Sequence, residues 1–420
     1  MRICQTYFPA MLKYRTLCII ALLSLSLLSA AQSWSRLADY PGTGRDDGAV
    51  FTIANKAYCL TGMQVGYSCT RDGSTFDATT LTWSAMAPLP VANERQYAAA
   101  FSANAKGYLF GGRDCAGHSL KDVWQYDPGL DSWIKKSPMP AKGRCAVSCF
   151  LLNNKAYMVG GLDSTNTVLN QVWEYDPLVD AWTQKANLPF SGCWRGCGFA
   201  IDTSGYICYG LQAGNTFLRT IYRYSASTDT WLKLSSLGLG PRYYSGCAVV
   251  GQKACLYGGI DSLGSMHNDL IVFDPLPNSL YTLPGLPAPA YARKGIMAFA
   301  LLNRFFLSTG IDTSLTRVRE TWESTSPTLV FEESMSLPGL SVFPNPSSGL
   351  IHIATDSKEN TSLTLCLRDA QGKVLHTQRI PAGGAKLNLA DLGIQPGLYF
   401  IELRNAENRI GVAKSIYQAN

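Results

Sequence analysis

An all-β chain assembled from one repeated unit is what this sequence predicts, and three observations predict it. Trp34, Trp83, Trp133, Trp182, Trp231 and Tyr281 recur at intervals of 49 or 50 residues. Gly62, Gly112, Gly161, Gly210, Gly259 and Gly310 recur in phase with them, at intervals of 49 to 51. Between these markers run short stretches of β-branched and aromatic residues bounded by Gly, Pro and Asn, and no segment sustains a helical period. The 420 residues are 46% hydrophobic and 16% charged, a balance that excludes a disordered or collagen-like chain.

Each unit has the same order: a Pro-containing turn, usually an Arg, a strand, a short polar turn, a second strand ending at Gly, a loop, and an aromatic-Asp pair. Tyr126-Asp127-Pro128 and Tyr175-Asp176-Pro177 are the clearest copies of that pair, with Phe76-Asp77 and Phe273-Asp274-Pro275 close to them. Trp follows the Asp by six residues in the first three units, and paired glycines stand at Gly111-Gly112, Gly160-Gly161 and Gly258-Gly259. In the other three units the first Gly is replaced, by Thr61, Tyr209 and Thr309, while the second is always present. Such a position predicts positive φ or a close neighbour. From Trp34 to Trp322 the pattern resembles the kelch repeat, whose units are four-stranded blades of a β-propeller, and six units imply six blades. The sixth unit has Trp322 in the aromatic-Asp slot and no later Trp, whereas Trp34 precedes the first full unit. A first strand around Trp34 that completes the last blade resolves both anomalies and leaves only short protected edges.

The leader carries Arg2, Lys13 and Arg15, an apolar run from Leu17 to Leu28, and then Ser29, Ala30 and Ala31. That is the pattern of a secretory signal peptide over 1–31. Its apolar run is shorter than the roughly 20 residues of a spanning helix, so no integral membrane span is expected. Cys18 opens the run, whereas a lipidated cysteine would follow it. Without the leader 33 basic residues face 30 acidic ones, and no run of Lys and Arg interleaved with aromatics argues for nucleic acid.

Eleven of the 13 cysteines remain after the leader, an odd number, so one at least is unpaired. Cys149 and Cys247 share a column with Val50, Ala100, Gly198 and Ala298, which reads as small residues near the axis. The next column, Phe51, Phe101, Phe150, Phe199, Ala248 and Phe299, faces blade packing. Cys59 and Cys69 flank one loop and form a possible pair, while Cys145 and Cys149 lie about 13 Å apart on one strand, too far to bridge.

Periodicity stops after Trp322. The propeller is placed at 32–323, a linker at 324–340, and a second domain at 341–420. Its motifs are Val342-Phe343-Pro344-Asn345-Pro346, Asp369-Ala370-Gln371-Gly372-Lys373, Gly397-Leu398-Tyr399 and Lys414. Alternating strands between them predict a small Ig-like β-sandwich. In order and placement they resemble the C-terminal sorting domain of type IX secretion, type A. The resemblance implies an exported, secreted or surface protein that meets the type IX machinery through 341–420.

Loops joining blades, and loops after each second strand, share one face around the channel. Arg45, Arg95, Arg144, Arg242 and Arg293 stand 17 residues before their Gly, with Cys193 in the fourth unit and Arg195 two further on. A guanidinium meets a carboxylate with two parallel hydrogen bonds, and kelch propellers that bind acidic ligands use arginines near here. A residue repeated in five blades also suits a role that every blade needs. Residues that break the repeat are the other candidates: Glu94, Gln96, Tyr97, Trp194, Arg195, Tyr243, Tyr244, Tyr291 and Lys294. Aromatic and Arg side chains there suit sugar stacking or peptide anchoring.

No cofactor motif is present. His118 and His267, in opposite blades, are unsuited to one copper centre, and the Asp residues after the glycines read as turn formers. The expected function is a binding propeller for a glycan or protein ligand. The alternative is a sugar mutarotase or epimerase resembling the bacterial sialic-acid kelch enzymes, with Glu94 as acid or base beside Arg95.

Overall fold

The computed structural model describes residues 33–325 except 235–237, 276, 277 and 291, and, in the C-terminal part, 340–343, 347–355, 363–369, 374–381, 383–395, 397–404 and 409–417. The expected leader, most of the expected linker, the Pro-Asn-Pro opening and the turn at 370–373 lie outside the described residues.

Six four-stranded antiparallel sheets follow one another. The second is typical, with strands Ala99–Ala103, Lys106–Phe110, Val123–Asp127 and Ser132–Lys136. The first strand of each sheet packs on the first strand of the next, and Met297–Leu301 of the sixth packs on Ala49–Ile53 of the first, closing a ring. The innermost strand combines small residues on the axis with aromatics turned into the blade. Phe101 stacks on Tyr108 at 4.9 Å, and Phe51 on Tyr58, Phe150 on Tyr157, Phe199 on Tyr206 and Phe299 on Phe306 repeat the contact.

The ring is sealed as the repeat arithmetic predicts. Ser33–Arg36 pairs with Thr321–Thr325 as the fourth strand of the last blade. Trp34 Nε1 donates to the Pro284 carbonyl at 3.0 Å, across the junction with the fifth blade. Trp83, Trp133, Trp182 and Trp231 make the same bond to Ala38, Ala87, Ser137 and Ala186, each in the preceding segment. One detail is corrected. The aromatic slot of the last blade holds Ser324, which faces Trp34 as Tyr175 faces Trp182. Trp322 instead lies opposite Leu307, as Trp173 lies opposite Met158, and the strand runs past the expected propeller end at 323.

A second latch reinforces these junctions. Tyr126, Tyr175 and Tyr224 each donate a hydroxyl to Asp131, Asp180 and Asp229, which also accept the backbone N–H of Ala87, Ser137 and Ala186. The six repeated glycines all have positive φ, from 88° to 110°, as only Gly tolerates cheaply. A Cβ on Gly112 would lie 2.7 Å from the Gln96 carbonyl, so the position is also sterically closed.

Cys69 is disulfide-bonded to Cys115, joining loops of the first and second blades. The expected Cys59–Cys69 pair is therefore wrong: Cys59 lies on a second strand, fully buried in the core between the first and last blades. The other nine described cysteines are free.

The C-terminal part forms two sheets. Leu340–Phe343, Leu350–Thr355 and Ala385–Asn388 make one, and Val374–Ile380, Leu363–Asp369, Gly397–Arg404 and Arg409–Tyr417 the other. Ile351, Ile353, Leu363, Leu365, Leu367, Ile401 and Leu403 alternate inward into a shared core.

Trp34→Ala removes both an inter-blade hydrogen bond and packing on Tyr257 and Phe305. Chemical unfolding is expected to register a loss of about 3 kcal/mol, as for the internal Trp133→Ala.

Candidate functional site

Each blade is led in by three consecutive residues that point in three directions. The first is the repeated arginine, and the structure removes it from the ligand-facing set. Arg45, Arg95, Arg144, Arg242 and Arg293 are buried, with side-chain exposure of 8% or less in the four that form ion pairs. Each Nη1 donates to the carbonyl 16 residues on: Thr61, Gly111, Gly160, Gly258 and Thr309. Each guanidinium also bonds the side chain 27 residues on. Arg95 grips Asp122 with two bonds of 2.8 and 2.9 Å, and Arg45 and Arg242 hold Asp72 and Asp269 the same way. Arg293 uses Glu320, and Arg144 has only the neutral Gln171. Burial without a carboxylate holds Arg144 down to about 10. These side chains are struts inside their own blades, because their hydrogen-bonding fork is already filled by the fold.

The third residue of each lead-in forms the mouth. Asp47, Tyr97, Ala146, Arg195, Tyr244 and Gly295 all have positive φ, between 51° and 63°. Each donates its backbone N–H to the carbonyl of the residue before it in this series, and Asp47 donates to Gly295. Six backbone hydrogen bonds of 2.8 to 3.2 Å thus form a closed circuit around the axis.

The side chains carried by this circuit differ from blade to blade. Arg195 lies against Tyr244, Trp194 and Tyr97, with its guanidinium carbon 3.7, 4.1 and 4.5 Å from the three ring centroids. Tyr97 and Tyr244 hydroxyls meet at 3.2 Å, and Lys294 approaches the other side of Tyr244. Tyr97 also hydrogen-bonds the Asp47 carboxyl. Burial, then the neighbouring Asp46, push Asp47 up to about 8, with Arg195 and Tyr97 opposing the shift. Asp46 itself is ion-paired with Arg317 at 2.6 Å. Burial, then the Asp47 charge, raise the Tyr97 phenol well above its usual range.

Two cavities meet at this cluster. One of about 490 Å³ lies among the second, third and fourth blades, lined by Arg113, Cys145, Asn166, Trp194, Gln212 and neighbouring residues. The other, about 120 Å³, sits on the axis within the circuit. Tyr97 and Arg195 line both. Among the described residues no side-chain or carbonyl acceptor bonds the Arg195 guanidinium, and its Nε is buried without a partner.

Residues 25–197 match the KLHDC2/KLHL20/DRC7 Kelch-repeats domain, and residues 341–418 match the secretion system C-terminal sorting domain. The chain is an exported kelch-repeat protein. Its fold is similar to the solved structure of YjhT, with a TM-score of 0.59 and 15% identity over 68% of this chain and 95% of that one. No curated protein matches the sequence. The sorting domain places the kelch protein at the cell surface or in the medium, and no described helix is long and apolar enough to cross a membrane.

The remaining residues expected at the kelch face are dispersed. Glu94 ion-pairs with Arg71 at 3.4 Å and lines neither mouth cavity. Tyr243 packs against Phe217 and Tyr244. Tyr291 lies outside the described residues. Asp163, Asp261 and Asp312 each accept two backbone N–H groups of their own loops, as turn formers do. His118 and His267 bond the loop Asp114 and Asp261 of their own blades. Asp47 was missed by sequence reasoning; the signal available was its column, in which six blades carry five different residues.

Two outcomes follow from this placement. Arg95→Ala strands the Asp122 carboxylate, so unfolding should show a loss of about 3 kcal/mol. Asp122 is lowered despite burial, by its bonds to Arg95. The strut therefore stabilises fully above the unfolded carboxylate pKa, near 4, and fades as pH falls through the lower folded value. Asp47 has the opposite sign. Its raised folded pKa means that stability declines as pH rises from about 4 towards 8. Asp47→Asn should flatten that decline in urea titrations at stepped pH.

Proposed function

We propose that this kelch protein is a binding module for a carboxylate-bearing glycan or polypeptide, held at the channel mouth by Arg195. The observation that carries the reading is the guanidinium of Arg195, fixed by three aromatic rings and left without a hydrogen-bond acceptor. Aromatic faces orient a guanidinium without consuming its N–H donors, so the fork stays free for an anion. Asp46 is neutralised by Arg317, and Asp47 stays mostly protonated near neutrality, which leaves Arg195 and Lys294 to set the sign of the mouth. Trp194 offers a ring face for a sugar or an aliphatic segment beside the charge, in a cavity large enough for one or two residues of either.

Calorimetry with uronic and sialic acids on one arm, and acidic peptides on the other, tests this. Arg195→Ala should weaken the bound carboxylate about 100-fold, while Arg95→Ala lowers stability and leaves affinity near that of the parent. Binding should also weaken as pH rises through 8, because an ionised Asp47 then competes for Arg195. Equal affinity of parent and Arg195→Ala protein for every carboxylate overturns the reading.

The mutarotase reading keeps one supporting observation. Asp47 titrates near neutrality and is hydrogen-bonded to Tyr97, a carboxyl and a phenol suited to passing a proton between a sugar's ring oxygen and anomeric hydroxyl. Asp47 replaces Glu94 as the acid–base candidate, since Glu94 does not line the cavity. Anomer exchange followed by NMR, fast in the parent and lost in Asp47→Asn, supports this activity; exchange at the buffer rate in both removes it.

A further inference from the structure

Directly behind the mouth lies a group of three free cysteines that the binding reading does not use. Cys197 is on the first strand of the fourth blade, two residues after Arg195, and Cys208 is its cross-strand neighbour on the second strand. Cys247 is on the first strand of the fifth blade, three residues after Tyr244. The Cys197 thiol lies within hydrogen-bonding reach of both other sulfurs. The two first strands also exchange thiol contacts. Cys197 Sγ reaches the Ser245 carbonyl at 3.6 Å, and Cys247 Sγ reaches the Gly198 carbonyl at 3.6 Å. Cys197 and Cys208 are buried in the core between these blades, while Cys247 is partly exposed.

We propose that Cys197 and Cys247 form a disulfide in the exported protein, strapping the fourth blade to the fifth beneath the Arg195–Tyr244 contact. Three observations converge on it. The thiols face each other across a blade junction, a covalent link between consecutive blades already exists at Cys69–Cys115, and the chain is destined for an oxidising compartment. Cys247 rather than Cys208 is the partner because its exposure lets an external disulfide reach it.

The chemistry is two exchanges. A disulfide donor of the thiol oxidoreductase class is attacked by the Cys247 thiolate, forming a mixed disulfide and releasing one donor thiol. The Cys197 thiolate then attacks the Cys247 sulfur of that bond, releasing the second donor thiol. Two protein thiols lose two protons and two electrons in total, and the donor is reduced to its dithiol. In the closed propeller, contact with Cys208 and burial hold the Cys197 thiol protonated, so exchange belongs to the folding stage, before the junction closes.

The strap is read by producing the whole chain through an export pathway, trapping thiols with acid and alkylating agent, and mapping peptides without reduction. The Cys69–Cys115 peptide serves as the control for oxidation and folding. A Cys197–Cys247 peptide is expected, leaving seven rather than nine free thiols among the described cysteines. It should persist in Cys208→Ser and vanish in Cys247→Ser. Cys197 linked to Cys208, or all three recovered alkylated while Cys69–Cys115 is intact, overturns the proposal.

Discussion

The circuit of six backbone hydrogen bonds at the channel mouth is the constraint on which the rest depends. Each blade contributes one residue to it, and that residue must adopt left-handed geometry for its N–H and carbonyl to point to opposite neighbours around the axis. Five of the six are not glycine, so the conformation is imposed by the ring against a local penalty of about 1 kcal/mol each. A ring closes only if every member complies. The reversal of φ at this residue also separates its side chain from those of the two residues before it. Buried strut, cavity wall and axial side chain therefore occur as adjacent letters in the sequence.

That separation lets fold and ligand recognition vary independently. The strut position is held by what every blade requires: a guanidinium that satisfies a buried carbonyl and a side chain 27 residues on. The circuit position is held by its backbone alone, so its side chain is free to be Asp, Tyr, Ala, Arg or Gly. Ala146 and Gly295 leave the axis open on their sides, and the larger residues of the other blades gather around Arg195. Inter-blade Trp bonds and the Tyr–Asp latches lie far out on the fourth strands, where they stabilise the ring without touching the mouth.

Much of the fold was legible because the repeat is an internal alignment. Six Trp or Tyr and six Gly in phase are enough to count sheets, and the displaced Trp34 is enough to infer how the ring is sealed. The slip between Trp322 and Ser324 arose because an aromatic two residues away satisfied the same pattern, and only strand register distinguishes them. The candidate site was half legible. Tyr97, Trp194, Arg195 and Tyr244 were found as departures from the repeat, which is what a unique site in a periodic scaffold must be. Assigning the five struts to ligand contact, and missing Asp47, have one cause. Charge and column membership say which residues are polar, whereas direction at a residue of positive φ is a property of the closed ring and has no local sequence signature. Disulfide partners were illegible for a related reason: Cys69 and Cys115 belong to different blades, and loop proximity depends on how blades splay.

The fourth blade shows how the repeat accommodates the exception. Its strut position is Cys193, and the matching position 27 residues on is Thr220, so the guanidinium and its acceptor are absent together. Thr220 turns instead to the Leu234 carbonyl, and Cys193 packs with Leu188 and Leu218 in an apolar junction. The buried ion pair is replaced by hydrophobic packing, an exchange that costs a scaffold little when both partners are lost together. An arginine held at the strut would be spent on its own blade. With that position apolar, the arginine two residues on projects to the axis, where neighbouring aromatics replace the missing carboxylate and leave its donors open. The same blade that relinquishes the common structural element is thus the one that presents the uncommitted cation, and the two departures are one adaptation.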